Sequence, residues 1–176
     1  MAHETKGATM GDRLQLAIQQ IEFARDYTQS LLADIDDREY FVCPPDCPTH
    51  VGWQVGHLAM AQYGLTLLRI RGREPEDNEF ISKDFLRLFK KQSTPVPNAE
   101  AYPPAAEIRE VLANVHHHSI AALGTYDEAD LEESLPEPYA VFANKLGSIL
   151  FCPAHELMHA GQIGLIRRLL GKSPIR

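Results

Sequence analysis

His155-Glu-Leu-Met-His159, continuing as Ala160-Gly-Gln-Ile-Gly-Leu-Ile-Arg-Arg-Leu-Leu-Gly171, reads as one helix with a glycine stop. Histidines four apart on a helix are separated by roughly 40° around its axis, so both imidazoles can reach one ion. A metal site needs at least three protein ligands. The residues after His159 include no His, Asp, Glu or Cys, so the third ligand must come from upstream.

Working outward from that helix, three more long helical patterns appear and no convincing strand. The first spans about Asp12 to Ala33, with Asp12 as cap and Leu14, Ile18, Ile21, Ala24, Leu31 and Leu32 near helical period. The second runs from a Thr49 cap to about Arg71 and closes at Gly72. The third covers about Ala105 to Tyr126. The fourth begins near Asn144 and ends at Leu170, and Pro153 is expected to bend it or mark its true start. A short helical piece is expected near Lys83 to Lys91, inside a long connection. The expected fold is all-α: a four-helix bundle with long connections, one domain over 1–176 with residues 1–11 as a mobile tail.

The best third ligand is His57, in Val55-Gly-His-Leu-Ala59 of the second helix. It shares a face with Trp53, Met60, Gly64 and Leu68, which directs it into the bundle. Gly56 would permit close helix approach. His50 lies on the same face but about 10 Å along the axis, too far for the same ion, at the cavity mouth. His116, His117 and His118 diverge by roughly 100° per residue and cannot converge. They read as surface or boundary positions. Gln162 projects toward the ligand side and would orient an imidazole, touch a substrate or bond between helices. Gly161 is expected to let a helix approach closely, and Arg167 and Arg168 to lie solvated at the negative helix end.

His155-Glu156-Leu-Met-His159 also matches HExxH, the zinc-peptidase pattern in which the glutamate is a general base. That pattern takes its third ligand downstream, where none exists, and no strand to hold a peptide is visible. Glu156 points about 100° away from His155, so surface and second-sphere roles are both open to it.

Net charge of −7 argues against a nucleic-acid backbone or anionic membrane as main partner. With no leader-like N-terminus and no long apolar run, a cytoplasmic location is expected. Cys43, Cys47 and Cys152 do not suggest a disulfide framework, and Cys43-Pro-Pro-Asp-Cys47 has neither redox-helix nor zinc-knuckle spacing.

Trp53-Gln-Val-Gly-His57-Leu-Ala59 followed late by His155 to Ile163, Arg167 and Gly171 resembles the DinB/YfiT-like superfamily of metal-binding four-helix bundles. The resemblance covers nearly the whole chain. It implies an up-down-down-up bundle, a divalent transition metal on His57, His155 and His159 with zinc or nickel favoured, and a homodimer. It also implies a small-molecule substrate, with a low-molecular-weight thiol joined to an electrophile as the reaction. A metal-dependent hydrolase and a non-catalytic metal-binding bundle are the alternatives. Ala160 and Met158 stand where relatives often carry polar residues and a further histidine, so no substrate preference carries over.

Overall fold

The computed structural model describes residues 10–139 and 142–175. Of the expected N-terminal tail, residues 1–9 lie outside the described residues, and helix is already formed at Met10. Helix α1 spans Met10–Leu32 and α2 spans Val51–Tyr63. The latter continues through a π-helical segment, Gly64–Leu68, into a last turn, α3, Arg69–Arg71. The short α4 is Lys83–Leu88, α5 is Ala105–Leu123 and α6 is Lys145–Leu169. The bundle consists of α1, α2 with its continuation, α5 and α6.

Helix direction follows from what meets at each end. Arg13 pairs with Glu128 at 2.8 Å, and the Lys145 amide donates to the Glu133 carbonyl at 3.1 Å, so α1 and α6 start together. They also finish together, because Arg167 near the end of α6 donates to the Leu31 carbonyl at 2.6 Å. The α2 N-terminus lies against the chain leaving α1, with the Gly52 amide bonded to the Tyr40 carbonyl at 2.7 Å. Arg109 in the first half of α5 pairs with Asp37 at that same end. The order is up-down-down-up.

Two apolar clusters fill the bundle. One joins Leu31, Val55, Leu58, Ile108, Leu112, Val115 and Ile163; the other, at the end where α1 begins, joins Leu14, Ile21, Leu65, Leu123, Leu146 and Ile149. Between helices the interior also carries charge. Arg25 and Glu156 are only 3% and 2% exposed and form a two-point ion pair, Nε to Oε1 at 2.8 Å and Nη2 to Oε2 at 3.2 Å. Arg25 also donates to the Leu112 carbonyl and to Gln62 Oε1. One guanidinium therefore joins α1, α2, α5 and α6, with every donated bond landing on a buried acceptor.

The π-helical segment frees backbone carbonyls that side chains from α6 and from the chain after α5 capture. Ser148 donates to the Leu65 carbonyl at 3.0 Å and Tyr126 to the Thr66 carbonyl at 3.2 Å. Gly72 ends this run at φ 85°, a left-handed value that suits a residue without a Cβ.

Several expectations change. His50, not Thr49, caps α2. A strand pair exists where none was expected: β1, Ser134–Tyr139, runs antiparallel to β2, Phe142–Asn144. Its prolines at 136 and 138 remove ladder donors and mask the strand signal, which is tolerable in a two-stranded hairpin where every strand is an edge. Helix α6 does begin where expected, at Lys145 under an Asn144 cap, and Pro153 lies inside it rather than at its start. Arg167 is not solvated but buried, holding Asp34 and the carbonyls of Leu31 and Ser173. A Cβ on Gly161 would meet nothing within 4 Å, so no helix approaches there. Among the described residues no helix is long and apolar enough to cross a membrane.

Removing Arg25 leaves Glu156 charged and buried without its partner. Arg25→Ala is expected to lower unfolding stability by about 3–5 kcal/mol, and Arg25→Met with Glu156→Leu to recover most of that loss. Denaturant titration measures both. A cost under about 1 kcal/mol for the single variant would contradict the packing role.

Candidate metal centre

His57 comes from the middle of α2, and His155 and His159 come from successive turns of α6. One nitrogen from each of the three lies within 4.8 Å of the others. Ring centroids are 5.3 Å apart for His57–His155, 4.8 Å for His57–His159 and 4.6 Å for His155–His159. His57 and His155 are buried, and His159 is partly exposed. The three rings converge on one point as the sequence spacing predicts.

Two of the imidazoles are held in a definite tautomer. His57 Nδ1 lies 2.8 Å from the Phe89 carbonyl, which can only accept, so Nδ1 carries the proton and Nε2 keeps its lone pair. His159 Nδ1 lies 2.6 Å from Gln54 Oε1. Gln54 is oriented in turn, because its amide nitrogen donates to Thr49 Oγ1 at 3.0 Å. His159 therefore also presents Nε2. Acceptors placed behind ligating histidines in this way fix the ring and raise its basicity toward a metal.

Phe89 reaches His57 because residue 56 is glycine. A Cβ there would come within 2.4 Å of the Phe89 ring. The close approach expected at Gly56 is thus made by an aromatic ring at the end of α4 rather than by a long helix. On the other side, Trp53 stacks on His57 at 4.8 Å with an 8° interplanar angle and donates through Nε1 to Ser93 Oγ at 2.9 Å.

The imidazoles open onto a cavity of about 370 Å³ lined by Trp53, His57, Lys91, Phe151, His155, Met158 and His159. Burial lowers the pKa of all three histidines: His57 falls, His155 is pushed to about 4, and His159 to about 3, the neighbouring imidazoles adding to the last two. At neutral pH all three are unprotonated, the form that binds a metal. Nitrogen donors with aligned acceptors behind them fit a divalent transition ion.

The remaining expected site residues lie elsewhere. His50 is buried at the α2 N-terminus, not at the cavity mouth. Its Nδ1 accepts from the Trp53 amide, and Phe41 and Tyr102 pack around its ring. Glu156 is turned away into the Arg25 pair, and Gln162 is exposed outside the cavity lining. His116 meets Gln62 at 3.2 Å and His118 stacks on Phe80 at 4.1 Å, so neither approaches the three imidazoles. The residue sequence reasoning missed is Gln54. Its place three residues before His57, on the same side of α2, was a usable signal.

A histidine held neutral by burial takes up a proton more readily in the unfolded chain, near its ordinary value of 6.5. Stability of the metal-free protein is therefore full above pH 6.5 and declines as pH falls toward 4, where the unfolded state gains protons the folded state refuses. Melting temperature across pH 7 to 5 should fall, and less steeply in His159→Asn. A flat profile would contradict the buried, neutral histidines.

A search of curated proteins finds no match. The family model described as the DinB superfamily matches residues 20–163, which include α2, α5 and most of α6 with all three histidines. The chain belongs to the DinB superfamily.

Proposed function

We propose that this protein is a divalent-metal-dependent enzyme that joins a small thiol to an electrophilic carbon. The observation that carries the reading is the composition of the cavity wall: among the described residues it holds three neutral imidazoles, the apolar side chains of Trp53, Phe151 and Met158, one lysine, and no carboxylate. An ion held by His57, His155 and His159 keeps its full double positive charge and would favour ionisation of a thiol near neutral pH. The thiol needs no base from the protein, since its proton passes to solvent.

Hydrolysis makes a different demand. Activating water and then protonating a leaving group calls for a positioned acid–base residue. The glutamate that serves this purpose in HExxH peptidases is Glu156 here, and Arg25 holds it in the bundle interior. That contact weighs against both the peptidase and the general hydrolase readings. An open cavity beside the imidazoles weighs against a purely structural ion, which closed four-ligand sites hold.

The chain's own residues would prepare the reaction by position. Gln54 and the Phe89 carbonyl fix two imidazole planes. Trp53, Phe151 and Met158 offer an apolar surface to the uncharged parts of the reactants. The sulfur–carbon bond forms as the carbon–oxygen bond of an epoxide breaks, and the resulting alkoxide takes a proton from solvent.

The test combines zinc-loaded protein with 2-mercaptoethanol and styrene oxide, with thioether product followed by mass spectrometry. Product formation should exceed the protein-free rate by at least about 100-fold, a reduction of roughly 2.7 kcal/mol in barrier. It should disappear after chelation and in His57→Ala. Rapid cleavage of a p-nitrophenyl ester with no thioether formed would contradict the transferase reading and favour the hydrolase.

A further inference from the structure

Among the described residues Lys91 is the one charged side chain in the cavity wall, the histidines being neutral, and the backbone that carries it is tied to the site at both ends. Before it, the Phe89 carbonyl accepts the His57 Nδ1 proton and the Phe89 ring packs against Gly56. After it, Ser93 Oγ accepts from Trp53 Nε1. Between them the Ser93 amide and hydroxyl both bond to the Lys90 carbonyl, at 2.9 and 2.8 Å, closing a turn with Lys91 at its second position. The same contacts that orient His57 and Trp53 therefore fix where Lys91 leaves the main chain.

Lys91 shares the cavity wall with Trp53, Phe151 and Met158. Among the described residues no carboxylate pairs with it. A solvent-exposed lysine in a wall otherwise made of imidazoles and apolar side chains suits a ligand with a charged end and an uncharged stem.

We propose that Lys91 anchors the ligand's carboxylate, so that the cavity takes small organic monoanions whose apolar stem lies along Trp53, Phe151 and Met158. This inference rests on the metal site of the proposed function and adds the substrate class: the reacting group points toward the three imidazoles and the carboxylate toward Lys91. A three-carbon spacing between the two groups is a suitable first probe. Lys91 is a specificity residue in this account and takes no part in bond making.

The test separates attraction by Lys91 from attraction by the metal ion's own charge. Zinc-loaded protein is titrated calorimetrically with two matched pairs, 3-mercaptopropionate against 3-mercapto-1-propanol and 3-phenylpropionate against 3-phenyl-1-propanol. Native protein should bind the carboxylate of at least one pair about five- to tenfold more tightly than its alcohol, with the preference shrinking at high salt. Lys91→Met should bring the ratio to about twofold or less with the alcohol's affinity unchanged, and Lys91→Arg should restore it. An anion preference that survives in Lys91→Met, no preference in native protein, or no binding of any probe would each overturn the anchor. If 3-phenylpropionate shows the Lys91-dependent preference and neither thiol binds, the anchor stands and the thiol-transfer reading fails.

Discussion

Burying Glu156 against Arg25 sets the rotation of α6 about its own axis, and the convergence of the three histidines depends on that setting. Successive residues on a helix differ by roughly 100°, so directing Glu156 toward α1 leaves His155 and His159 together on the neighbouring sector that faces α2. The ion pair is costly to desolvate and would be a poor source of stability alone. Here Leu112 and Gln62 add acceptors from α5 and α2, so the pair defines the register of all four long helices at once. The same contact also draws the carboxylate of the His-Glu-x-x-His stretch into the bundle interior.

The second constraint comes from outside the bundle. The segment from Phe89 to Ser93 is a short turn after α4, yet it supplies a carbonyl to His57, a hydroxyl to Trp53 and a cation to the cavity. Gly56 makes this possible by giving the Phe89 ring room that any side chain would occupy. On the opposite side Thr49 orients Gln54, and Gln54 orients His159. Both arrangements leave Nε2 of a neutral imidazole free to bind an ion, so the candidate site is preorganised by the protein's own hydrogen bonds.

The convergence of the three histidines was legible in the sequence because helical geometry converts spacing into direction. His155 and His159 share a face by their separation alone, and the apolar neighbours of His57 point it inward. What supports them was not legible, because it depends on contacts between distant positions: Arg25 meets Glu156 across 131 residues, and His159 meets Gln54 across 105. The Phe89 carbonyl is a backbone atom and leaves no mark in residue type. Arg167 read as a solvated helix end because periodicity gives a direction but not what fills it, and the direction leads to the end of α1. Pro136 and Pro138 hid the hairpin by the rule that excludes proline from central strands, which does not bind a two-stranded ribbon.

Metal content of protein purified without an affinity tag is the most direct test of three imidazoles from two helices forming one site. The account predicts about one divalent ion per chain in the native protein, lost in His57→Ala and in His155→Ala while both variants keep their helical content. Native protein that stays metal-free after reconstitution, or His57→Ala that retains full occupancy, would contradict it.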